Sequence, residues 1–381
     1  VASDPAAAIR SFLGIRNVAQ SRRQPIGALA EAVNIDVDDE GGILSRPGYR
    51  KSLNLTDVSA AFSPLNSYVT YVVDDGSLKR ISPNLQVTTL GIVPITDTYW
   101  VEVGTRIFMS TGFIVEDDQL KPWFIEPPTS PLIQVSSGSL PAGQYQVTMT
   151  VVADDGRESP SCSVAVLELP EKSGLQLAGV SGCNVYISDT NGANLYLAGY
   201  EASYIDALET AIPLDPALLL TTSISGVLGP IAYYDSCMFV AQYDQVTDTS
   251  TVYWSKPFFW HVFDVFEDYI QVPGEVRLLY GHDEGLLIGT DRDIWAYNGE
   301  AISKLAKYGV PAGHCLAFTK NGTVLFQTNW GVCTLPFQNL TMEKAIFPSG
   351  KYCATAVINT QAMSKFVTLT DGSGVPELST I

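Results

Sequence analysis

Three features of the sequence predict a mainly β fold. Short runs rich in Val, Ile, Thr, Tyr and Phe recur along the chain, turn-forming residues separate them at even intervals, and no long stretch carries the periodicity of a helix. Tyr68–Val73 runs into Asp74-Asp75-Gly76 and returns as Ser77–Ile81, with Val87–Val93 as a further strand. Tyr99–Val103 and Arg106–Ser110 bracket Gly104-Thr105, and Gln119–Ile125 follows. From about Ser225 the pattern resumes, with Pro230–Tyr243 as a hairpin, Thr251–Trp254 as a strand, and Gly285–Asp291 leading into Asp293–Gly299. Leu316–Phe326 turns at Asn321-Gly322, and Thr328–Cys333 opens another strand. The segments around Thr290 and Thr328 share one form, an apolar run, Thr, an Asp or Asn, then an apolar return. That is an imperfect repeat of about 40 residues, the period of a propeller blade. Blades cannot bury their faces alone and must close a ring, so the expected body is propeller-like; even strand spacing by itself also allows a sandwich or a barrel.

Pro127-Pro128-Thr129-Ser130-Pro131 marks a boundary, because consecutive prolines hold an extended linker and cannot join a central strand. Beyond it, Gln144–Ala153 alternates as a strand, Asp154-Asp155-Gly156 turns it into Arg157–Ser161, and Ser163–Leu169 is another strand. Asn184–Ser188 turns at Thr190-Asn191-Gly192 into Asn194–Gly199. The run PAGQYQVTMTVVADDGRESP resembles fibronectin type III or immunoglobulin-like modules, in which Tyr145 and the hairpin turn recur; the resemblance implies a β-sandwich. The blade pattern stands on both sides of this unit. The domain reading is therefore an N-terminal arm and hairpin (1–50), a first part of the propeller-like body (51–128), an immunoglobulin/fibronectin III-like insertion (129–212) and a second part of the body (213–381).

The 381 residues are 46% hydrophobic and only 16% charged, so the chain can bury a large core and carries much neutral polar surface. The net charge of −18 disfavours adhesion to nucleic-acid backbones, where affinity comes from Lys and Arg displacing counterions. It equally suits a non-adhesive conduit that repels DNA, or simple solubility. Six cysteines, at 162, 183, 237, 315, 333 and 353, form no C-x-x-C and read as buried free thiols, with a disulfide between Cys162 and Cys183 as the alternative. No run approaches the length of a membrane span, and VASDPAAAIR lacks the basic and apolar regions of a secretory leader.

No set of residues carries a chemical motif. His261, His282 and His314 lack metal-ligand spacing, and no nucleophile elbow is present. Asp36-x-Asp38-x-Glu40-Gly41 imitates the start of a calcium loop, but the twelfth position is Pro47 where a bidentate Glu belongs. Acid-rich turns at Asp74-Asp75, Asp154-Asp155, Asp283-Glu284 and Asp291/Asp293 invite a glycosidase reading, yet turn chemistry accounts for them. The expectation is no catalysis, no cofactor and no metal. The candidates for interaction are Arg16, Arg22, Arg23 and Arg46, in a locally basic arm with Arg10 and Arg50, and the aromatics Trp254, Phe258, Phe259 and Trp260. The arm reads either as a solvated loop or as a segment that docks on an acidic neighbour. The aromatics read either as core or as an interaction patch.

In the N-terminal stretch Gly14–Gly48, GIRNVAQSRRQPIGALAEAVNIDVDDEGGILSRPG, Val33, Ile35 and Val37 alternate with Asn34 and Asp36, and Asp38–Gly42 supplies a turn into Ile43-Leu44. Gly14, Ile15, Asn17, Val18, Pro25, Gly27, Leu29, Glu31–Asn34, Asp36, Asp38, Gly41, Leu44 and Arg46–Gly48 together resemble a signature at the N-terminal end of tailed-phage virion proteins, notably the tail nozzle proteins of short-tailed phages. The resemblance implies a virion structural protein of the phage tail, assembled in the bacterial host cytoplasm. It would form a ring with copies of itself, a hexamer in that family, that continues the DNA channel below the adaptor. Its neighbours would be adaptor or portal-side proteins and tail fibres or spikes, and DNA would pass through the lumen without specific binding. Two other readings stand beside it: a tail-tip propeller that binds or cleaves glycans, and a cellular β-propeller scaffold.

Overall fold

The computed structural model describes residues 52–64, 67–219, 224, 226–319 and 321–340, together with the strands Gly14–Ile15, Ala28–Leu29, Ile35–Val37, Ile43–Ser45, Tyr352–Asn359 and Ser364–Thr370. The fold is mainly β and consists of several, mostly antiparallel, sheets. By compactness the chain divides into residues 57–288 with 297–301, and residues 1–56, 289–296 and 302–381.

In the larger unit, sheets follow one another in chain order as simple meanders. The first is Val58–Phe62, Thr70–Asp74, Ser77–Ile81 and Val87–Ile92, and the second Trp100–Val103, Arg106–Met109, Phe113–Glu116 and Gln119–Pro122. The third comprises Ile231–Tyr234, Cys237–Asp244 and Thr249–Lys256, whose last strand pairs along one half with Phe259–Phe263 and along the other with Tyr269–Pro273. Local chemistry sets the turns. Asp75-Gly76 (φ 50° and 66°), Asp117-Asp118 (52° and 58°) and Asp235-Ser236 (46° and 66°) place both central residues in the left-handed region. Tight turns of that hand match the twist of the strands they join, and Asp and Gly tolerate them best.

Alternation along Arg106–Met109 explains how these sheets pack. Ile107 and Met109 join Ala60, Tyr71, Val73 and Leu78 of the first sheet in one core, whereas Phe108, on the other face, joins Ile231, Met238, Val240 and Phe263 of the third. The middle strands of the second sheet are thus covered on both faces, which is why Ile107–Met109 and Phe113–Val115 read as continuous apolar runs. Phe108 sits edge-on to Trp123 (5.3 Å) and to Trp260 (5.6 Å). Burying a ring of that kind is worth about 1.5–3 kcal/mol.

Between the second and third sheets the chain makes two more. One is ordered Leu132–Leu140, Ser173–Ala178, Tyr204–Ile205; the other is ordered Ala165–Leu169, Gly143–Val151, Cys183–Ser188, Leu195–Tyr200. Leu140, Leu175, Leu177 and Ile205 of the first meet Tyr145, Val147, Met149, Val185 and Ile187 of the second in one shared core. The fully buried Tyr145 donates its hydroxyl to the Pro141 carbonyl at 3.1 Å and shares a hydrogen bond with Thr190. Arg157–Ser161, expected as a strand, is not one. Only Glu158 bridges back, to Val152, because Pro160 lacks an amide proton and the Ser159 hydroxyl takes the Val151 amide. Pro216–Leu219, in the most apolar short stretch, is a turn of 3-10 helix.

The smaller unit holds the sheet Leu316–Phe318, Val324–Thr328, Gly331–Thr334, Gln338–Asn339, and a three-stranded sheet in which Tyr352–Asn359 lies between Ala312–His314 (parallel) and Ser364–Thr370 (antiparallel). The N-terminal hairpin is present, with Ile35, Asp36 and Val37 opposite Ser45, Leu44 and Ile43. The repeat read around Thr290 and Thr328 has a concrete meaning here. Each Thr closes a strand and bonds its own turn: the Thr290 hydroxyl accepts the Arg292 and Asp293 amides, and the Thr328 hydroxyl accepts the Trp330 amide and donates to the Gly331 carbonyl.

Candidate functional site

A dense set of polar contacts in the larger unit lies on the turn Ala153–Ser159. The Gly156 amide bonds the Ala153 carbonyl with Gly156 at φ 81°, and the Ala153 amide bonds the Arg157 carbonyl, so the turn is closed. The turn sends Arg157 to the second sheet and Glu158 to the sheet that contains Gly143–Val151 and Cys183–Ser188. Arg157 donates through Nη1 to the Trp123 carbonyl (2.7 Å), through Nη2 to the Pro122 carbonyl (2.8 Å) and through Nε to Asp155 (2.8 Å). Glu158 accepts from Thr150 (2.6 Å) and Tyr186 (2.9 Å) on one carboxylate oxygen and from Asn184 (2.8 Å) on the other. Its backbone carbonyl lies 2.6 Å from Nε2 of His261, on the third sheet. One turn is therefore fastened to the second sheet before it and the third sheet after it.

Electrostatics follow from burial. Burial pushes the His261 imidazole down to about 4, so it is neutral at ordinary pH, and its hydrogen is on Nε2, facing the carbonyl. Burial also raises the Asp155 carboxyl, but the hydrogen bonds and charge of Arg157 outweigh it and leave it below the usual range. The Tyr186 phenol is held well above its usual range, by burial first and then by Glu158. Lys121 and then Arg106 hold the Glu116 carboxyl low by donating to it.

Beside this turn lies a recess of about 50 Å³, lined by Arg106, Phe108, Ile114, Trp123, Arg157, Phe258, Trp260 and His261. Sites for metabolites run to hundreds of Å³, so this one has room for a water or the tip of a partner's side chain. Phe258 stands on its rim, 73% exposed and at φ 64°, a backbone region that bulky side chains avoid. The Arg106 guanidinium lies 6.0 Å over the Trp260 ring. Among the described residues no group of three or more His, Cys, Asp or Glu is placed to hold a metal ion.

The other aromatics singled out in the sequence are engaged inside the larger unit. Trp254 stacks on Tyr297 at 5.8 Å and packs against Phe239. Phe259 leans on the cluster of Tyr186, Leu195, Leu214, Leu218 and Val262. Trp260 donates its ring N–H to the Ser236 carbonyl at 3.0 Å. Phe258 alone of the four presents its ring to solvent. Arg16, Arg22, Arg23 and Arg46 lie outside the described residues, as does the calcium-like loop beyond the backbone of Asp36. The acidic turns are occupied by their own bonding: Asp74 accepts the Asp57 amide and pairs with Lys79, Asp155 pairs with Arg157, and Asp293 pairs with Lys304. Cys162 and Cys183 are both buried free thiols. Sequence reading missed Arg157 and Glu158 as a pair of fasteners; the available signal was a knot of four charges, Asp154, Asp155, Arg157 and Glu158, after a long uncharged stretch, since residues 127–153 contain none.

No family model matches the chain, and no curated protein matches it. Among solved structures it is similar to the extracellular domain of a hybrid two-component system from B. thetaiotaomicron, at 12% identity over 81% of this chain and 36% of that one, with a TM-score of 0.31. The chain thus spans about a third of that relative's length. It is also similar to the WD40 domain of SCAP from fission yeast (12% identity, 83% of this chain, 72% of that one, TM-score 0.27) and to the Neurospora crassa Pan2 WD40 domain (9%, 71%, 86%, 0.24).

Proposed function

We propose that this chain is a structural protein of a tailed-phage virion, a nozzle-type component that assembles with copies of itself into a ring around the DNA channel. The observation that carries the reading is the dense N-terminal signature of residues 14–48, whose hairpin has the backbone pairing that its alternation and turn require. In this reading the body is propeller-like, its successive four-stranded meanders acting as blades. The insertion is an immunoglobulin/fibronectin III-type sandwich. Three- and four-stranded sheets over one core, and a buried tyrosine whose hydroxyl reaches back to a carbonyl four residues upstream, support that. The work of the molecule is to hold shape: its acids serve turns and ion pairs, its buried histidine is neutral and tied to a carbonyl, and its net charge of −18 repels DNA. Phe258 is the residue we assign to the contact between copies, because a strained, exposed aromatic on the rim of a recess serves no purpose in the fold itself.

Electron microscopy of the purified full-length chain, with sedimentation to give the mass, tests this. Closed rings of uniform copy number are the expected result; a chain that stays monomeric at assembly concentrations overturns it. A monomer is what the second reading, a cellular β-propeller scaffold, predicts, and the WD40 domains named above sit closer to that reading than to a phage tail.

A further inference from the structure

We propose that Cys315 and Cys353 are a paired oxidation site that closes to an intramolecular disulfide when the folded protein meets a peroxide. Ala312–His314 runs parallel to Tyr352–Asn359 with Gly313 opposite Cys353, and the Thr355 hydroxyl donates to the His314 carbonyl at 3.1 Å, fixing the two strands side by side. The chain leaves its strand at Cys315, whose thiol reaches the Pro311 carbonyl (3.0 Å) and lies 3.4 Å from the sulfur of Cys353. Both side chains are buried, at 2% and 4% exposure. Closing the bond requires the sulfurs to approach by about 1.3 Å, to the roughly 2.05 Å of a disulfide. Rotation of the two side chains supplies a movement of that size.

The other thiols lack this arrangement. Among the described residues, no second pair of cysteine sulfurs lies within hydrogen-bonding distance, and burial raises the Cys183, Cys237 and Cys333 thiols and so quiets them. The Cys353 thiol is shifted the other way when the single Cys315 hydrogen turns from the Pro311 carbonyl to the Cys353 sulfur. The chemistry balances with hydrogen peroxide as the oxidant. The Cys353 thiolate attacks one peroxide oxygen, the O–O bond breaks, and hydroxide leaves with sulfenic acid formed on Cys353. The Cys315 sulfur then attacks the Cys353 sulfur, the S–O bond breaks, and the hydroxyl leaves as water with the Cys315 proton. In sum two thiols lose two electrons and two hydrogens, and one peroxide becomes two waters. The product ties the hairpin of Tyr352–Asn359 and Ser364–Thr370 to the preceding strand across a separation of 38 positions.

The test is thiol mapping on the intact, folded chain. The protein is exposed to limiting hydrogen peroxide, denatured in excess alkylating reagent, digested without reductant and analysed by mass spectrometry. The expected result is four alkylated cysteines of the six, with Cys315 and Cys353 joined in one peptide pair that dithiothreitol separates. A Cys315→Ser variant should stop at sulfenic acid on Cys353, trapped by a dimedone probe. Six alkylated thiols, a link between other cysteines, or sulfinic acid accumulating on Cys353 in the parent protein would each overturn the proposal.

Discussion

Replacing Arg157 with Ala asks how firmly the insertion is fastened. The guanidinium makes three hydrogen bonds of 2.7–2.8 Å, two to carbonyls of the second sheet's final strand and its neighbour and one to Asp155. The Arg157 and Asp155 side chains are only 12% and 7% exposed, so solvent screening is weak. Hydrogen bonds to a charged group are worth about 1.5–3 kcal/mol each, and stripping one partner from a buried ion pair costs about 3–5 kcal/mol. Because one side chain makes all three bonds, they do not add, and about 3–5 kcal/mol is the figure for the whole. For a body of this size that lowers Tm by about 10 °C. Arg157→Lys keeps the charge but not the fork and should lose about half as much. Acid adds a sign. In the parent, the folded-state pKa of Asp155 is depressed, so its contribution is present above the unfolded value of 3.8 and fades as pH falls through the folded value. Without the Arg157 side chain, the amide of residue 157 and the Lys121 charge still favour the carboxylate, but the guanidinium no longer outweighs burial, so the loss shrinks as the carboxyl is protonated. The gap in Tm between parent and Arg157→Ala must therefore narrow toward acid. A gap under about 2 °C at neutral pH, or one that stays constant with pH, would refute the reasoning.

Other expectations follow from the same contacts. Protonation of His261 opposes folding: its folded pKa is about 4 against 6.5 unfolded, so stability should fall as pH drops through that window, by up to about 3 kcal/mol, and His261→Gln should flatten that limb in urea titrations. Glu158→Gln puts a donor where Tyr186, Thr150 and Asn184 all donate, costing about 1–3 kcal/mol and bringing the Tyr186 phenol back toward its ordinary titration range by ultraviolet absorbance. A methyl on Gly281 would meet the Tyr233 carbonyl oxygen at 2.0 Å, so Gly281→Ala should cost about 1–3 kcal/mol by thermal unfolding. Phe258→Gly relieves a left-handed backbone and should stabilise the monomer by about 1 kcal/mol while weakening ring assembly by sedimentation.

The sequence announced its hairpins where the turn chemistry was local. Asp74–Gly76 and Asn191-Gly192 carry their conformation in their own residues, so the flanking strands could be placed. Leu132–Leu140 and Ser173–Ala178 were not read as strands: the first is rich in Ser and Gly, and its apolar residues break the alternation, since Ile133 and Leu140 face the core while Leu132 and Val135 are exposed. The fastening turn was invisible for another reason. Arg157 meets Trp123 across 34 positions, and Glu158 meets His261 across 103, and no local pattern encodes such pairings. The aromatic run at 253–260 showed the opposite limit, since composition alone does not tell a ring that packs, such as Trp260, from one that faces water, such as Phe258.

A sheet covered on both sides has no spare surface along which to vary. Every side chain on Ile107–Met109 already answers to a neighbour above or below, so drift there must be matched in another sheet. The two sheets between the second and the third carry a core of their own, yet they share apolar packing with the third sheet as well as the polar turn: Tyr186 and Leu195 are buried with Val262, and Phe259 leans on them. Change is therefore free inside that second core, but at Tyr186 and Leu195 it too must be answered, on Val262 and Phe259.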